Sequence, residues 1–345
     1  MLSERAKRSV LFRCDGSATI GTGHIHRCLS LAAALAERGF QTAFATRPLP
    51  QAPIERIERA GHRVHLLEAE LSGAEDCEAT LVFATDWVVV DRYASTTRDL
   101  EQLSASGVRI AAIDDLCAQA FPVALLLNQN ANATALDYRT RADTLRLLGP
   151  HFALLAPAYA HARESAPRTT HSIQRILLFL GGGDVLGPLA NLLRGFAALA
   201  RAESFVVRIV VGSPFYEAAT TLARAALPTA RVEHGHPTLI DCMQWADLFI
   251  TAGGSVVWEA CCLGLPMLIL SIADNQEGNA QRLDQLGAAL YAGSLQQLSD
   301  KALLEALDAT LSQQARVLAC ARVAWQLVDG QGAQRVADAM ERYGT

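Results

Sequence analysis

The stretch from Phe12 to Leu31 constrains the fold more than any other part of the chain, because its apolar period changes across a glycine-rich turn. Val10-Leu11-Phe12 is a short β-favouring run, whereas Ile25, Cys28 with Leu29, Ala32, and Leu35 with Ala36 recur at helical spacing. The pattern predicts a strand that turns through Gly21 and Gly23 into a helix. Glycines in such a turn let the backbone approach a ligand, and the free N–H groups of the first helical turn attract an anion such as a diphosphate. His24 falls on that first turn. The positive end of a helix dipole disfavours an imidazolium, so a neutral imidazole able to accept a proton is expected there. The loop lacks the Lys of a Walker sequence and the third glycine of a dinucleotide fingerprint, so local chemistry leaves His24 as either a catalytic or a structural residue.

Strand-like runs continue through the first half at Thr42–Thr46, His65–Leu67, Trp87–Asp91, Ile110–Asp114 and Val123–Asn128. Helical stretches such as Pro53–Ala60 and Thr97–Ser106 separate them, an alternation that predicts a parallel sheet. Several runs end in polar residues: Asp91-Arg92-Tyr93, Asp114-Asp115 and Asn128-Gln129-Asn130. In an open α/β sheet ligands bind outside the carboxyl ends of the strands, so these residues are expected to line one crevice with Asp15 and His24. Each alone also suits a cap or a turn.

Pro157–Ser172, with two prolines and a polar run, reads as an interdomain linker. The alternation then restarts with the strand Arg175–Leu180, the turn Gly181-Gly182-Gly183-Asp184 and a helix over Pro188–Ala200. Strands follow at Val206–Val211, Asp247–Thr251 and Met267–Leu270, and two or three helices over Lys301–Tyr343 close the chain. A third strand, turn and helix lies in Thr251-Ala252-Gly253-Gly254-Ser255-Val256-Val257-Trp258-Glu259. Its N–H groups suit a phosphate, and Glu259 is either an acceptor for the two hydroxyls of a ribose or a solvated helical charge. A polar cluster, Asp274-Asn275-Gln276, follows the Leu268–Leu270 run.

Composition bounds the function classes. The 345 residues suit two domains of about 150 residues, and 51% apolar against 19% charged residues excludes a disordered chain. A net charge of −5 argues against nucleic acid as a partner. The charged N-terminus lacks the apolar core of a signal peptide, and no apolar run reaches the ~20 residues of a membrane span. Eight cysteines without Cys-x-x-Cys spacing suit reduced thiols in a cytoplasmic protein, and no His/Cys/Asp cluster has metal-ligand spacing. No metal and no cofactor are expected.

Together these segments resemble the PseG family, the UDP-sugar hydrolases of the pseudaminic acid pathway, whose fold is similar to that of the MurG-like glycosyltransferases of the GT-B class. Arg13-x-Asp15-Gly16-Ser17-x-x-Ile20-Gly21-x-Gly23-His24-x-x-Arg27-Cys28 carries the N-terminal part of the resemblance. Val90-Asp91-x-Tyr93, Ile113-Asp114-Asp115-Leu116, Leu127-Asn128-Gln129-Asn130 and Leu148-Gly149-Pro150 follow in order. Gly181-Gly182-Gly183-Asp184, Ala252-Gly253-Gly254-Ser255-x-x-Trp258-Glu259, Gly264-Leu265-Pro266 and Ala273-Asp274-Asn275-Gln276 complete it.

The resemblance implies an α/β protein with two Rossmann-like parallel-sheet domains facing a central cleft, residues 1–160 carrying the histidine loop and residues 171–345 binding UDP, with the last helices packing back on the first domain. It implies that His24 activates water, that Glu259 holds the ribose, and that Tyr93 and Asn275 lie near the sugar. Asp15, Gly23, Asn128, Gly182, Gly183, Gly253, Gly254, Ser255 and Gln276 complete the implied substrate site. The implied reaction is hydrolysis of UDP-2,4-diacetamido-2,4,6-trideoxy-β-L-altropyranose to UDP and the free sugar by a metal-independent cytoplasmic monomer, a step of pseudaminic acid biosynthesis for flagellin glycosylation. A GT-B glycosyltransferase and a non-catalytic sugar-nucleotide-binding protein of surface glycosylation are the alternatives. Two positions depart from the pattern: Ala156 replaces an Arg, and no Asn stands near Gly187. Arg163 or His161 is the candidate to replace the lost Arg contact.

Overall fold

The computed structural model describes residues 8–16, 23–84, 86–163, 172–200 and 202–343. They form two compact units, Met1–Pro157 with Gly330–Thr345, and Ala158–Asp329. In the first, seven strands, β1 (Ser9–Cys14), β2 (Gln41–Thr46), β3 (Arg63–Leu66), β4 (Trp87–Asp91), β5 (Arg109–Ile113), β6 (Leu125–Asn128) and β7 (Leu145–Leu148), build one sheet. Its order is β3-β2-β1-β4-β5-β6-β7, and every pairing is parallel. Helices cover both faces of such a sheet, which is why the central β4 is buried along its whole length and carries the run Val88-Val89-Val90.

The strand order contains the feature that positions the site. The chain runs outward from β1 to β3 and then returns to the other side of β1 as β4, so the connections leaving β1 and β4 diverge. A crevice opens at such a switch point beyond the carboxyl ends of the two strands. Cys14 at the end of β1 is in register with Asp91 at the end of β4. The helix Gly23–Glu37 starts just beyond, burying Ile25, Cys28, Leu31, Ala32 and Leu35 against the sheet.

The second unit repeats the device with β8 (Arg175–Phe179), β9 (Val206–Val210), β10 (Arg231–Glu233), β11 (Leu248–Thr251), β12 (Met267–Ser271) and β13 (Leu290–Ser294). The order β10-β9-β8-β11-β12-β13 is again all parallel, with its switch point between β8 and β11. Phe179 pairs with Thr251 there, and the two strands run straight into the turns that begin at Gly181 and Gly253. The strands read from the sequence appear with ends moved by one or two residues. β7, β10 and β13 have no counterpart in that reading: β10 is only three residues long, and β7 carries Arg146 and two further exposed or half-exposed positions. Pro157–Ala162, read as linker, is a helix.

The closing segment forms three helices, Asp300–Ser312, Gln314–Leu327 and Gly332–Arg342. The last belongs to the first unit, where Val336, Ala337 and Met340 join the apolar cluster of the helix Gly23–Glu37 and Arg38 bonds Asp338. Gly332 permits this docking: a Cβ there would lie 2.2 Å from the Ala153 carbonyl oxygen and 2.5 Å from its nitrogen. Neither atom belongs to a side chain that can swing aside. Gly332→Ala is therefore expected to destabilise the protein by roughly 1–3 kcal/mol or more, read as a lowered Tm.

Candidate active site

His24 is the second residue of its helix and is 7% exposed, but its surroundings are polar. Its Nδ1 lies 2.6 Å from Asp91 Oδ1. Arg27 Nη2, which has only hydrogens to offer, also lies 3.1 Å from Nδ1, but it is closer to the same Asp91 oxygen; the shorter contact with a carboxylate oxygen, which offers only lone pairs, puts the hydrogen on Nδ1 and leaves Nε2 to accept one. Arg27, one turn along the helix, donates from Nε to Asp91 Oδ2 at 2.7 Å and from Nη2 to Oδ1 at 2.5 Å. Cys28 Sγ reaches Oδ2 at 3.5 Å. Burial alone would push the Asp91 carboxyl up, but the charge of Arg27, with His24 and these hydrogen bonds, holds it well below the usual range. A fixed anion thus orients the imidazole, as in base-and-orienter pairs generally.

Tyr93 meets the His24 ring edge-on, with centroids 4.8 Å apart, and donates its hydroxyl to Asp115 Oδ2 at 3.0 Å. Burial and then the Asp115 charge push the Tyr93 phenol up, keeping it a donor. Arg27 Nη1 approaches the same Asp115 oxygen at 3.4 Å, while Asp115 Oδ1 is buried with no hydrogen-bond partner. A hollow lined by Arg92, Tyr93, Asp114, Leu116 and Gln119 opens beside this group. The first unit therefore gathers a proton acceptor, an orienting carboxylate and two polar neighbours at its switch point.

Asp15 and Asn128 are occupied differently. Asp15 accepts from Arg13 Nη1 at 2.6 Å and from the Arg47 N–H at 3.0 Å, and pairs with Arg92 at 2.7 Å. Asp76 binds the same Arg13 and Arg92. The Arg13-x-Asp15 motif thus belongs to an ion-pair network that clamps the ends of β1, β2 and β4. Asn128 is fully buried, donates to the Tyr138 hydroxyl at 2.8 Å and accepts the Asn130 N–H at 2.8 Å, so it holds a turn. Gly23 is the first residue of its helix, and Gly21 lies outside the described residues.

In the second unit the implied nucleotide residues gather around the turn after β11. Gly253 has φ +86°, which favours glycine, and a Cβ there would meet Ile269 at 3.0 Å and Gln276 at 3.5 Å. Gly254 faces the Gln276 amide, whose oxygen accepts the Ile272 N–H at 2.9 Å. Ser255 stands before the helix Val256–Leu263 without making a side-chain cap, and the N–H groups of Val257 and Trp258 bond the Gly254 and Ser255 carbonyls, so it is the turn ahead of Val257 that could offer N–H groups to an anion. Asn275 is exposed in the first turn of the helix Asp274–Gln285. The Gly182–Gly183 turn follows β8, and Gly212 packs so closely on it that a Cβ would lie 2.7 Å from the Gly182 oxygen.

Glu259 lies within the helix Val256–Leu263 and accepts the hydroxyl of Tyr159, a residue of the segment expected as linker. Burial pushes the Glu259 carboxyl up to about 7, against the Tyr159 hydrogen bond, which lowers it. Arg163 does not replace the missing Arg: its guanidinium stacks over Trp325 at 3.7 Å and donates to the carbonyls of Cys262, Trp325 and Val328. Contrary to the expectation from spacing, one trio of potential metal donors does gather among the described residues, Glu233, His236 and Cys242. Cys242 Sγ lies almost equally far from the two His236 nitrogens, 3.7 and 3.9 Å, and so off the lone-pair axis of either. No helix among the described residues is long and apolar enough to cross a membrane.

The family model of UDP-glucoronosyl and UDP-glucosyl transferase matches residues 235–318, the stretch that holds Gly253, Glu259 and Gln276. Spore coat polysaccharide biosynthesis protein SpsG of Bacillus subtilis is 29% identical over 190 residues, covering 54% of this chain and 56% of that protein. The chain spans about half the length of the curated relatives it matches. Among solved structures, MurG of Acinetobacter baumannii superposes with a TM-score of 0.67 at 16% identity, covering 97% of this chain and 99% of that one. MnaA of S. aureus, in a structure with UDP, gives 0.67 at 12% identity, covering 97% and 96%. These likenesses assign the fold of the GT-B glycosyltransferases, two parallel-sheet α/β domains.

Proposed function

We propose that this protein hydrolyses a UDP-linked sugar at its anomeric carbon, the second unit holding UDP and the first supplying the base. The observation that carries this reading is the His24–Asp91 pair at 2.6 Å, which leaves His24 Nε2 free to take a proton from water. The water oxygen bonds to the anomeric carbon, the bond from that carbon to the diphosphate oxygen breaks, and UDP leaves with the electron pair. The proton stays on His24 until solvent removes it. The Gly253-Gly254-Ser255 turn would meet the growing phosphate charge with N–H groups, and Glu259 would accept the ribose hydroxyls. The relative SpsG, named for polysaccharide biosynthesis, and the UDP-bound structure of MnaA support a nucleotide-sugar substrate. The diacetamido-trideoxy sugar of the pseudaminic pathway is the substrate proposed, in a cytoplasmic monomer.

The match of residues 235–318 to UDP-sugar transferases favours a second reading, transfer of the sugar to an acceptor. Incubating the protein with a panel of UDP-sugars in ordinary and heavy-oxygen water separates the two by mass spectrometry. Hydrolysis gives UDP without label and free sugar with it, in the absence of any acceptor. UDP release that strictly requires an acceptor means transfer instead.

A pH effect on nucleotide binding follows from Glu259. Near pH 7 its carboxyl is partly protonated, and protonation removes one acceptor oxygen from the ribose hydroxyls. UDP affinity is therefore expected to rise as pH increases through about 7 and then to level off. The β-phosphate of UDP titrates in a similar range, so the ratio of wild-type to Glu259→Gln affinities isolates the carboxyl. A ratio constant from pH 6 to 8 would remove the assigned role.

A further inference from the structure

We infer that Tyr159 is a positioning residue of the nucleotide site, fixing the Glu259 carboxylate so that it selects ribonucleoside over 2′-deoxyribonucleoside diphosphates. This rests on the reading that Glu259 holds the ribose. Tyr159 sits on the helix Pro157–Ala162, only 3% exposed, and both capacities of its hydroxyl are spent. It accepts the Leu239 main-chain N–H at 3.3 Å and donates its own hydrogen to Glu259 Oε2. The main-chain amide holds the phenol oxygen, and the phenol in turn holds the carboxylate.

A carboxylate has about four lone-pair sites, and no other described residue donates to this one, so one is used and about three remain. Two hydroxyls on adjacent ribose carbons need two acceptor sites in a fixed relation, and an unheld glutamate side chain samples several rotamers. The Tyr159 hydrogen bond removes that freedom before the nucleotide arrives. A deoxyribose offers a single hydroxyl to the carboxylate, so it gains less from the fixed geometry. Burial of the phenol excludes direct contact with a nucleotide as its function, and packing alone would not require the hydroxyl.

The test compares UDP and 2′-deoxy-UDP by calorimetric titration of the full chain. Tyr159→Phe removes one oxygen and keeps the ring, so the core is preserved. The variant is expected to bind UDP about tenfold more weakly, with a much smaller change for 2′-deoxy-UDP, so that the preference narrows. In the Glu259→Gln background the same substitution is expected to add little. An unchanged UDP affinity, or an equal loss for both nucleotides that persists in the Glu259→Gln background, would overturn the positioning role and mark Tyr159 as packing. If Glu259→Gln itself binds UDP like the wild type, the ribose assignment fails as well, an outcome distinct from failure of Tyr159 alone.

Discussion

Replacing His24 by alanine is expected to lower the turnover of the UDP-sugar by roughly 10²–10⁴-fold, the usual contribution of a positioned base, while leaving UDP affinity within about twofold. The split follows from what each unit holds. His24 would act on water, and the groups assigned to the nucleotide are on the other unit, so the loss falls on kcat and not on UDP binding. The fold should survive, because Asp91 keeps both Arg27 contacts and the Cys28 thiol when the imidazole is gone. Steady-state kinetics on the UDP-sugar and titration with UDP measure the two quantities separately. Unchanged turnover would remove His24 from the chemistry. A parallel loss of UDP affinity would make it a structural residue.

Much of this architecture is legible in the chain itself. Parallel strands buried on both faces read as unbroken apolar runs, so Val88-Val89-Val90 and Leu177-Leu178-Phe179 announce β4 and β8 without any partner in view. The edge strands do not, because a three-residue β10 with exposed Arg231 has no pattern to detect. The site is legible to a different depth. His24 and Asp91 can each be read as ends of a strand or turn, but their pairing is a property of strand order, since 67 residues separate them and only the return of the chain beside β1 brings them together. For the same reason the helix dipole at His24 is legible in the sequence while its Asp91 and Arg27 partners are not. Tyr159 was hidden by its neighbours: a proline-flanked, alanine-rich segment reads as a linker, and nothing local says that its one phenol is buried against Glu259. Asp15 shows the opposite limit, for the sequence places it beside a glycine turn but says nothing of Arg92, which ties it into the network beneath the site.

Asp91→Asn should produce the second large effect, and it should do so in both stability and chemistry. The carboxylate is buried and takes two hydrogen bonds from Arg27 and one from His24. A carboxamide has one acceptor oxygen and one NH₂, so one end must face a donor. Either end faces Arg27, which reaches both oxygens, so the neutral amide leaves a buried guanidinium with Asp115 at 3.4 Å as its counter-charge, and breaking such a pair costs about 3–5 kcal/mol. If the NH₂ takes the place of Oδ1 it faces His24 as well, Nδ1 must become the acceptor, Nε2 then carries the hydrogen, and water loses its base; turnover should fall by about 10²–10⁴-fold with UDP affinity retained. The pH dependence identifies the charge. Because Arg27 and His24 hold the folded-state carboxyl below its ordinary value, the stability that Asp91 supplies is complete above about pH 4 and is lost as pH falls below that. Urea unfolding should thus show a wild-type advantage over Asp91→Asn that is full at pH 7 and shrinks in acid. Asp15 and Asp76, also held low by Arg13 against the effect of burial, make both curves fall together, so the difference between them reports Asp91. A difference that stays constant down to pH 3 would mean that shape rather than charge is what position 91 provides, and the orienting role of Asp91 would fall with it.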